Sequence, residues 1–182
     1  MKVIKPMIIA DANLVSSSVA ENDFAAWNSG TTYALGDKVI LTSTHRIYQS
    51  LQAGNTNHNP TDAASTWWSD IGPTNRWAMF DGKVSTQTTA TGSIEIVLAP
   101  GVASDGLALL NLDAVSTVTV TVTSDAVEVY SAVEDMTGPV ADWAEYFFDP
   151  IEFKTDITFD DLPFYADAEI TVLLEGSGTI GC

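Results

Sequence analysis

Across 182 residues there is a single cysteine, Cys182, so no intramolecular disulfide can close and nothing marks an oxidising compartment. Histidine is almost as scarce: His45 and His58 are the only two. Neither has a cysteine or a paired acid at metal-ligand spacing, so the expectation is no metal and no cofactor. No stretch approaches the roughly 20 apolar residues that span a bilayer. Lys2 and Lys5 precede apolar residues, but Pro6, Asp11 and Asn13 interrupt them before a secretory core forms. The expectation is therefore a chain that is neither exported nor inserted into a membrane. No Gly-x-Ser-x-Gly elbow and no phosphate loop is present. Acids are so numerous that no carboxylate pair stands out for glycoside hydrolysis. Glu134-Asp135 and Asp160-Asp161 lack the ordered alternation of a calcium loop and read as solvated turns. His58, in an Asn-rich stretch, reads as a solvated loop residue. The chain is expected not to be an enzyme.

Positive charge is scarce as well, with seven Lys and Arg against 24 Asp and Glu. Residues 1–83 carry six basic and seven acidic groups, a net of −1, whereas residues 84–182 carry Lys154 alone against seventeen acids, a net of −16. Two halves with different surfaces are implied. So acidic a surface repels phosphate and lacks the basic stripe that nucleic-acid binding requires. It suits either a partner with basic patches or plain solubility.

Aromatic rings, by contrast, crowd one region. Trp27, Tyr33, Tyr48, Trp67, Trp68 and Trp77 fall within a stretch poor in aliphatics, so rings must supply most of its core, each burying roughly 150 to 250 Å². Trp27, Tyr33 and Tyr48 are the expected module core. Residues 38–41 and 46–51 read as short strands with a turn at Ser43-Thr44, and Gly36-Asp37 as a tight turn where positive φ is cheap. Trp67 and Trp68 are adjacent, so on a strand they point to opposite faces and one of them would be exposed.

The acidic half reads as β-structure. Residues 93–98, 107–112, 115–123, 126–130, 146–148, 151–153, 156–159 and 168–175 are short β-type runs separated by turn signals such as Pro100-Gly101 and Thr137-Gly138-Pro139. In Val118-Thr119-Val120-Thr121-Val122-Thr123, valine and threonine occupy alternate faces. Residues 142–148 read as either a helical turn or a loop. The expected fold class is all-β: a small aromatic module followed by an antiparallel β-sandwich of jelly-roll or galactose-binding type. Expected domains are an N-terminal docking arm at 1–23, the module at 24–82 and the acidic sandwich at 83–182. The arm holds Ile8, Ile9, Leu14 and Val15, too apolar for a free tail, and must pack either on the chain's own body or on a neighbouring subunit.

The order Trp27, Gly30-x-x-Tyr33-x-x-Gly36-Asp37-x-Val39, Tyr48, Pro60 and Trp67 or Trp68 is similar to the small chitin- and cellulose-binding modules of carbohydrate-binding families 5 and 12. That resemblance implies a glycan platform, for which Trp67 and Trp68 are the candidates. Residues 50–60, where such modules carry stacking aromatics, have none here. The run from Gly72-Pro73-Thr74-Asn75-Arg76-Trp77 through Asp81-Gly82-Lys83 to Gln87-Thr88, together with Lys5-Pro6-Met7-Ile8-Ile9-Ala10-Asp11 and Ser16-Ser17-Ser18-Val19-Ala20-Glu21, resembles virion proteins of tailed bacteriophages. In those, a carbohydrate-binding-like module is inserted before a β-sandwich, and the proteins are placed in the tail tip, baseplate or fibre-attachment region. The resemblance implies a structural tail component located in the virion, with other virion tail proteins and symmetric copies of itself as partners. The alternative is a protein that binds host-surface or chitin-like glycan. An accessory module of a polysaccharide hydrolase is a third reading, opposed by the lack of a Ser/Thr/Pro linker.

Overall fold

The computed structural model describes residues 6–62, 66–83, 85–138 and 153–182. It is all-β and antiparallel, and it divides into two compact units: Met1–Val19 with Gln87–Cys182, and Ala20–Thr86. The first unit is therefore discontinuous in sequence. The second interrupts it.

The first unit is β-sandwich-like. Its main sheet holds β1 (Leu14–Ser17), β7 (Thr89–Leu98), β9 (Thr117–Ser124), β10 (Val127–Asp135) and β12 (Glu169–Gly181) in the order β1-β7-β12-β9-β10. A two-stranded sheet pairs β8 (Leu107–Leu109) with β11 (Ile157–Phe159). Alternation decides which face is buried. Val118, Val120 and Val122 of β9 are fully buried, opposite Leu174, Val172 and Ile170 of β12, and Ile94, Ile96 and Leu98 continue that face on β7. The intervening threonines of β9 are only half-buried. β12 carries the sheet: it pairs with β7 on one side and β9 on the other, and continues past an irregularity between Glu175 and Thr179. Gly176 makes that irregularity possible, because a Cβ there would collide with the Ala114 carbonyl oxygen and Ile180 Cγ2.

Several expected boundaries move. The 126–130 and 168–175 runs extend to Asp135 and Gly181, because cross-strand pairing carries both strands through polar and glycine-rich residues. The 107–112 run keeps strand form only over Leu107–Leu109. The expected features at 142–148, 146–148 and most of 151–153 lie outside the described residues; Phe153 itself forms a bridge with Thr137. The arm is corrected in part. Leu14 is buried and its strand pairs with β7, Ser18 N donates to Glu95 O, and Val19 is buried too, so residues 14–19 belong to the chain's own body rather than to a neighbour's. Val15 and Ile8 stay exposed, Ile8 at 88%, and Ile9 is half-buried.

The second unit contains β3 (Lys38–Leu41), β4 (Arg46–Ser50) and β6 (Trp68–Pro73) in one antiparallel sheet, and a two-residue pair, β2 (Thr32–Tyr33) with β5 (Asn55–Thr56). Gly36 adopts φ +89°, as its turn with Asp37 requires, and Asp37 Oδ2 accepts the Ala34 amide at 2.7 Å. A 3-10 helix at Asn75–Phe80 follows β6. Because Glu21 and Asp23 begin this unit and Thr74 to Phe80 lie near its end, its two ends meet within the unit itself.

Candidate functional site

Tyr33, Val39, Tyr48 and Trp68 form the buried cluster of the second unit, with Trp27, Leu41 and Trp67 packed against it half-buried. Tyr33 and Tyr48 are thus core. Trp27 is peripheral to it, and its indole Nε1 is buried without a hydrogen-bond partner.

The adjacent tryptophans differ in burial, Trp68 buried and Trp67 half-buried, and both pack in the same cluster. Trp68 opens β6 facing inward. It packs edge-on against Tyr33 with ring centroids 5.1 Å apart, and its Nε1 donates to the His58 carbonyl at 2.8 Å. Trp67, just ahead of the strand, is half-buried against the same cluster and does not present a bare ring. His58 stacks on it, with centroids 4.0 Å apart and planes 10° from parallel. The Trp67 carbonyl accepts the Leu51 amide at 2.8 Å and Asn55 Nδ2 at 3.3 Å, which holds the backbone of the pair in place. His58 is accordingly half-buried rather than the solvated loop residue its Asn-rich surroundings suggest. One face of the indole on which a pyranose would stack is already taken by imidazole.

A second aromatic pair closes the unit's ends. The ring of His45, in the β3–β4 turn at φ +54°, stacks on Trp77 at 4.0 Å and 20°. Its Nδ1 meets both oxygens of Glu21 at 3.0 and 3.2 Å, and Glu21 Oε1 also accepts the Thr74 hydroxyl at 3.0 Å. Asp23 Oδ1 accepts the Asn75 amide at 3.0 Å, and the Thr74 amide donates to the His45 carbonyl at 2.9 Å. Glu21, His45, Thr74 and Trp77 therefore form a latch between the first and last turns of the unit. Spacing hides this set: Glu21 and Thr74 are separated by almost the whole unit. On the sheet surface Arg46 grips Asp70 through Nε and Nη2 at 2.7 to 3.0 Å, and that hydrogen bonding raises the guanidinium pKa further above its ordinary value.

The His45–Glu21 pair faces the Thr74 hydroxyl, but Thr74 is itself fully buried, which leaves it no approach for a substrate. Among the described residues no group of three or more His, Cys, Asp and Glu side chains is placed to hold a metal ion, and no helix is long and apolar enough to cross a membrane. Ile8, Ile9, Leu14 and Val15 are not brought together as one docking patch, since Leu14 turns into the core. Compared with known proteins, the chain matches no family model, no curated protein and no solved structure.

Proposed function

We propose that the chain is a non-enzymatic structural component of a bacteriophage tail, at its tip, baseplate or fibre-attachment region. In this reading an acidic β-sandwich-like body packs with copies of itself and with other tail proteins in the virion, and the aromatic module decorates it. The observation that carries the reading is the insertion. Ala20–Thr86 interrupts a body whose neighbouring strands β1 and β7 lie on either side of it in sequence, and the module's ends are latched to each other by Glu21, Asp23, Thr74 and Asn75. A module joined this way can be added to a scaffold without disturbing the scaffold's sheet. Met7 and Ile8, 39% and 88% exposed just before β1, supply apolar surface for a neighbouring subunit.

The glycan-binding reading loses ground on geometry, since one face of the Trp67 ring is taken by His58. Native mass spectrometry and sedimentation of the full chain test the choice. A closed ring or trimer fits the adaptor. A monomer retained on chitin or cell-wall glycan overturns it in favour of the glycan binder.

A further inference from the structure

We infer that the Phe164–Tyr165 tip of the loop between β11 and β12 is a docking knob for an apolar pocket rimmed by lysine or arginine on a partner protein. Phe164 is 72% exposed, more than any other aromatic ring among the described residues, and Tyr165 beside it is 43% exposed. The loop that carries them is nonetheless fastened at both feet. Leu162 and Ala168 are buried on either side of the tip, and the Tyr165 amide donates to the Pro163 carbonyl at 3.1 Å, a tight turn with Phe164 at its apex. Asp161 Oδ1 accepts the Tyr130 hydroxyl at 2.9 Å, while Asp167 Oδ2 accepts the Ser124 hydroxyl at 2.9 Å and the Asp125 amide at 3.1 Å. Residues 161–167 are therefore stitched along the β9–β10 hairpin, whose Val127 and Val129 are exposed too. Apolar side chains gathered on a held loop are pre-organised for contact, because little conformational freedom is lost when they dock. This end of the sheet lies away from the Thr137–Phe153 bridge: β10 runs from Val127 here to Asp135 there, roughly 25 Å at the usual strand rise.

Charge selects the occupant. Asp125 and Glu128 on the hairpin, and Asp160, Asp161, Asp167 and Glu169 about the feet of the loop, are all exposed. Among the described residues of this unit Lys154 is the one Lys or Arg, and its Nζ donates to the Asp135 carbonyl at the other end of β10. The apolar tip thus stands inside an acidic rim. A second copy would bring that rim against its own charges, and like charges brought together at an interface oppose association. An anionic membrane surface fails for the same reason. A pocket with apolar walls receives the rings, and lysine or arginine about its mouth pairs with the carboxylates; an aromatic anchor desolvated at the centre with charges at the rim is how protein interfaces commonly concentrate affinity. The inference goes beyond the adaptor reading and rests on it only for where the partner stands.

The test uses the full chain, isotopically labelled, with three β-cyclodextrin hosts that share one apolar cavity and differ at its rim: amino-substituted, unsubstituted and carboxymethylated. The expected result is amide shifts confined to 124–130 and 160–169. The amino host should bind about tenfold or more tighter than the unsubstituted one and lose that advantage in high salt, and the carboxymethyl host should not bind. The F164S/Y165S chain should lose binding with a nearly unchanged unfolding midpoint, since both rings are exposed; F164S alone serves if the double variant fails to fold. The E128Q/E169Q chain should lose most of the preference for the amino host and keep its binding of the unsubstituted one. Undiminished binding by the serine variants, shifts centred elsewhere on the acidic surface, self-association through the loop, chitohexaose binding at the same residues as tightly as the amino host, or no binding by any host each overturns the inference. A chain present in virions that ignores the amino host sinks the knob alone. A chain that binds the host at the knob but is absent from virions sinks the adaptor reading alone.

Discussion

Replacing Trp68 and Trp67 singly by alanine separates packing from display, because two adjacent identical side chains differ in burial. Trp68 is 6% exposed, packs edge-on with Tyr33 and donates to the His58 carbonyl. Removing a buried indole costs about 3 to 5 kcal/mol, of which the aromatic pair accounts for about 0.5 to 1.5. The second unit rests on a cluster of four buried residues, and a whole domain is commonly stable by only about 5 to 15 kcal/mol. Trp68→Ala should therefore unfold this unit under mild conditions. Full burial of a large apolar side chain contributes about 1.5 to 3 kcal/mol, so the half-buried Trp67→Ala should cost about 1 to 2. His58→Ala should cost about 0.5 to 1.5 through loss of the stack. Urea unfolding followed by tryptophan fluorescence reads mainly this unit, which holds four of the five tryptophans, Trp27, Trp67, Trp68 and Trp77; replacing Trp143 by Phe in every variant removes the fifth signal. If Trp67→Ala were neutral in stability and abolished retention on chitin or cell-wall glycan, the ring would be a display platform and the assignment of His58 as its cover would be refuted. A Trp67→Ala cost larger than that of Trp68→Ala would refute the ranking of the two rings by burial.

Three further outcomes follow from the first unit. Gly176→Ala should destabilise it by about 1 to 3 kcal/mol, because the new Cβ meets backbone at Ala114 that cannot swing aside; thermal unfolding reads this, and an unchanged midpoint contradicts the close packing of β12 there. The Ser124 hydroxyl, 2.9 Å from Asp167 Oδ2, holds that carboxyl below the usual carboxylate range. The pair thus adds stability above the unfolded carboxylate pKa of about 4 that is lost as pH falls below it, and carbon-detected titration should find the Asp167 midpoint rising towards the ordinary value in Ser124→Ala. Burial pushes the Cys182 thiol up to about 11, so at pH 8 its labelling by a disulfide reagent should be about a hundredfold or more slower than that of a free cysteine, and equal rates would show the terminus to be open.

Local pattern exposed what local pattern controls. The Val-Thr alternation of 118–123 specified a strand with one buried face, and 38–41 formed the strand its apolar run suggests. What escaped was set by distant partners. β2 and β5 are two residues each, too short for any periodicity, and exist because Thr32 and Tyr33 pair with Thr56 and Asn55. β12 runs on past the expected end at Glu175, through Gly176-Ser177-Gly178, because Thr179 to Gly181 still pair with Thr91 to Thr89. The apolar residues at 14–19 could be seen to need a surface, but only the register Leu14 to Leu98 shows that the surface is β7. At the candidate site the same division holds. Strand alternation placed Trp67 and Trp68 on opposite faces, but Trp67 lies ahead of β6 and packs on the same cluster as Trp68, and the imidazole stacked on it comes from a loop whose path no spacing encodes.

The central claim is that this chain is a tail component built as a scaffold with an inserted module. The most direct test is the composition and density map of purified virions from its source. The account predicts the chain in fixed copy number within the tail, its body in a symmetric ring and its module outermost. Absence of the chain from complete virions, with the protein recovered instead as a free monomer, would contradict it.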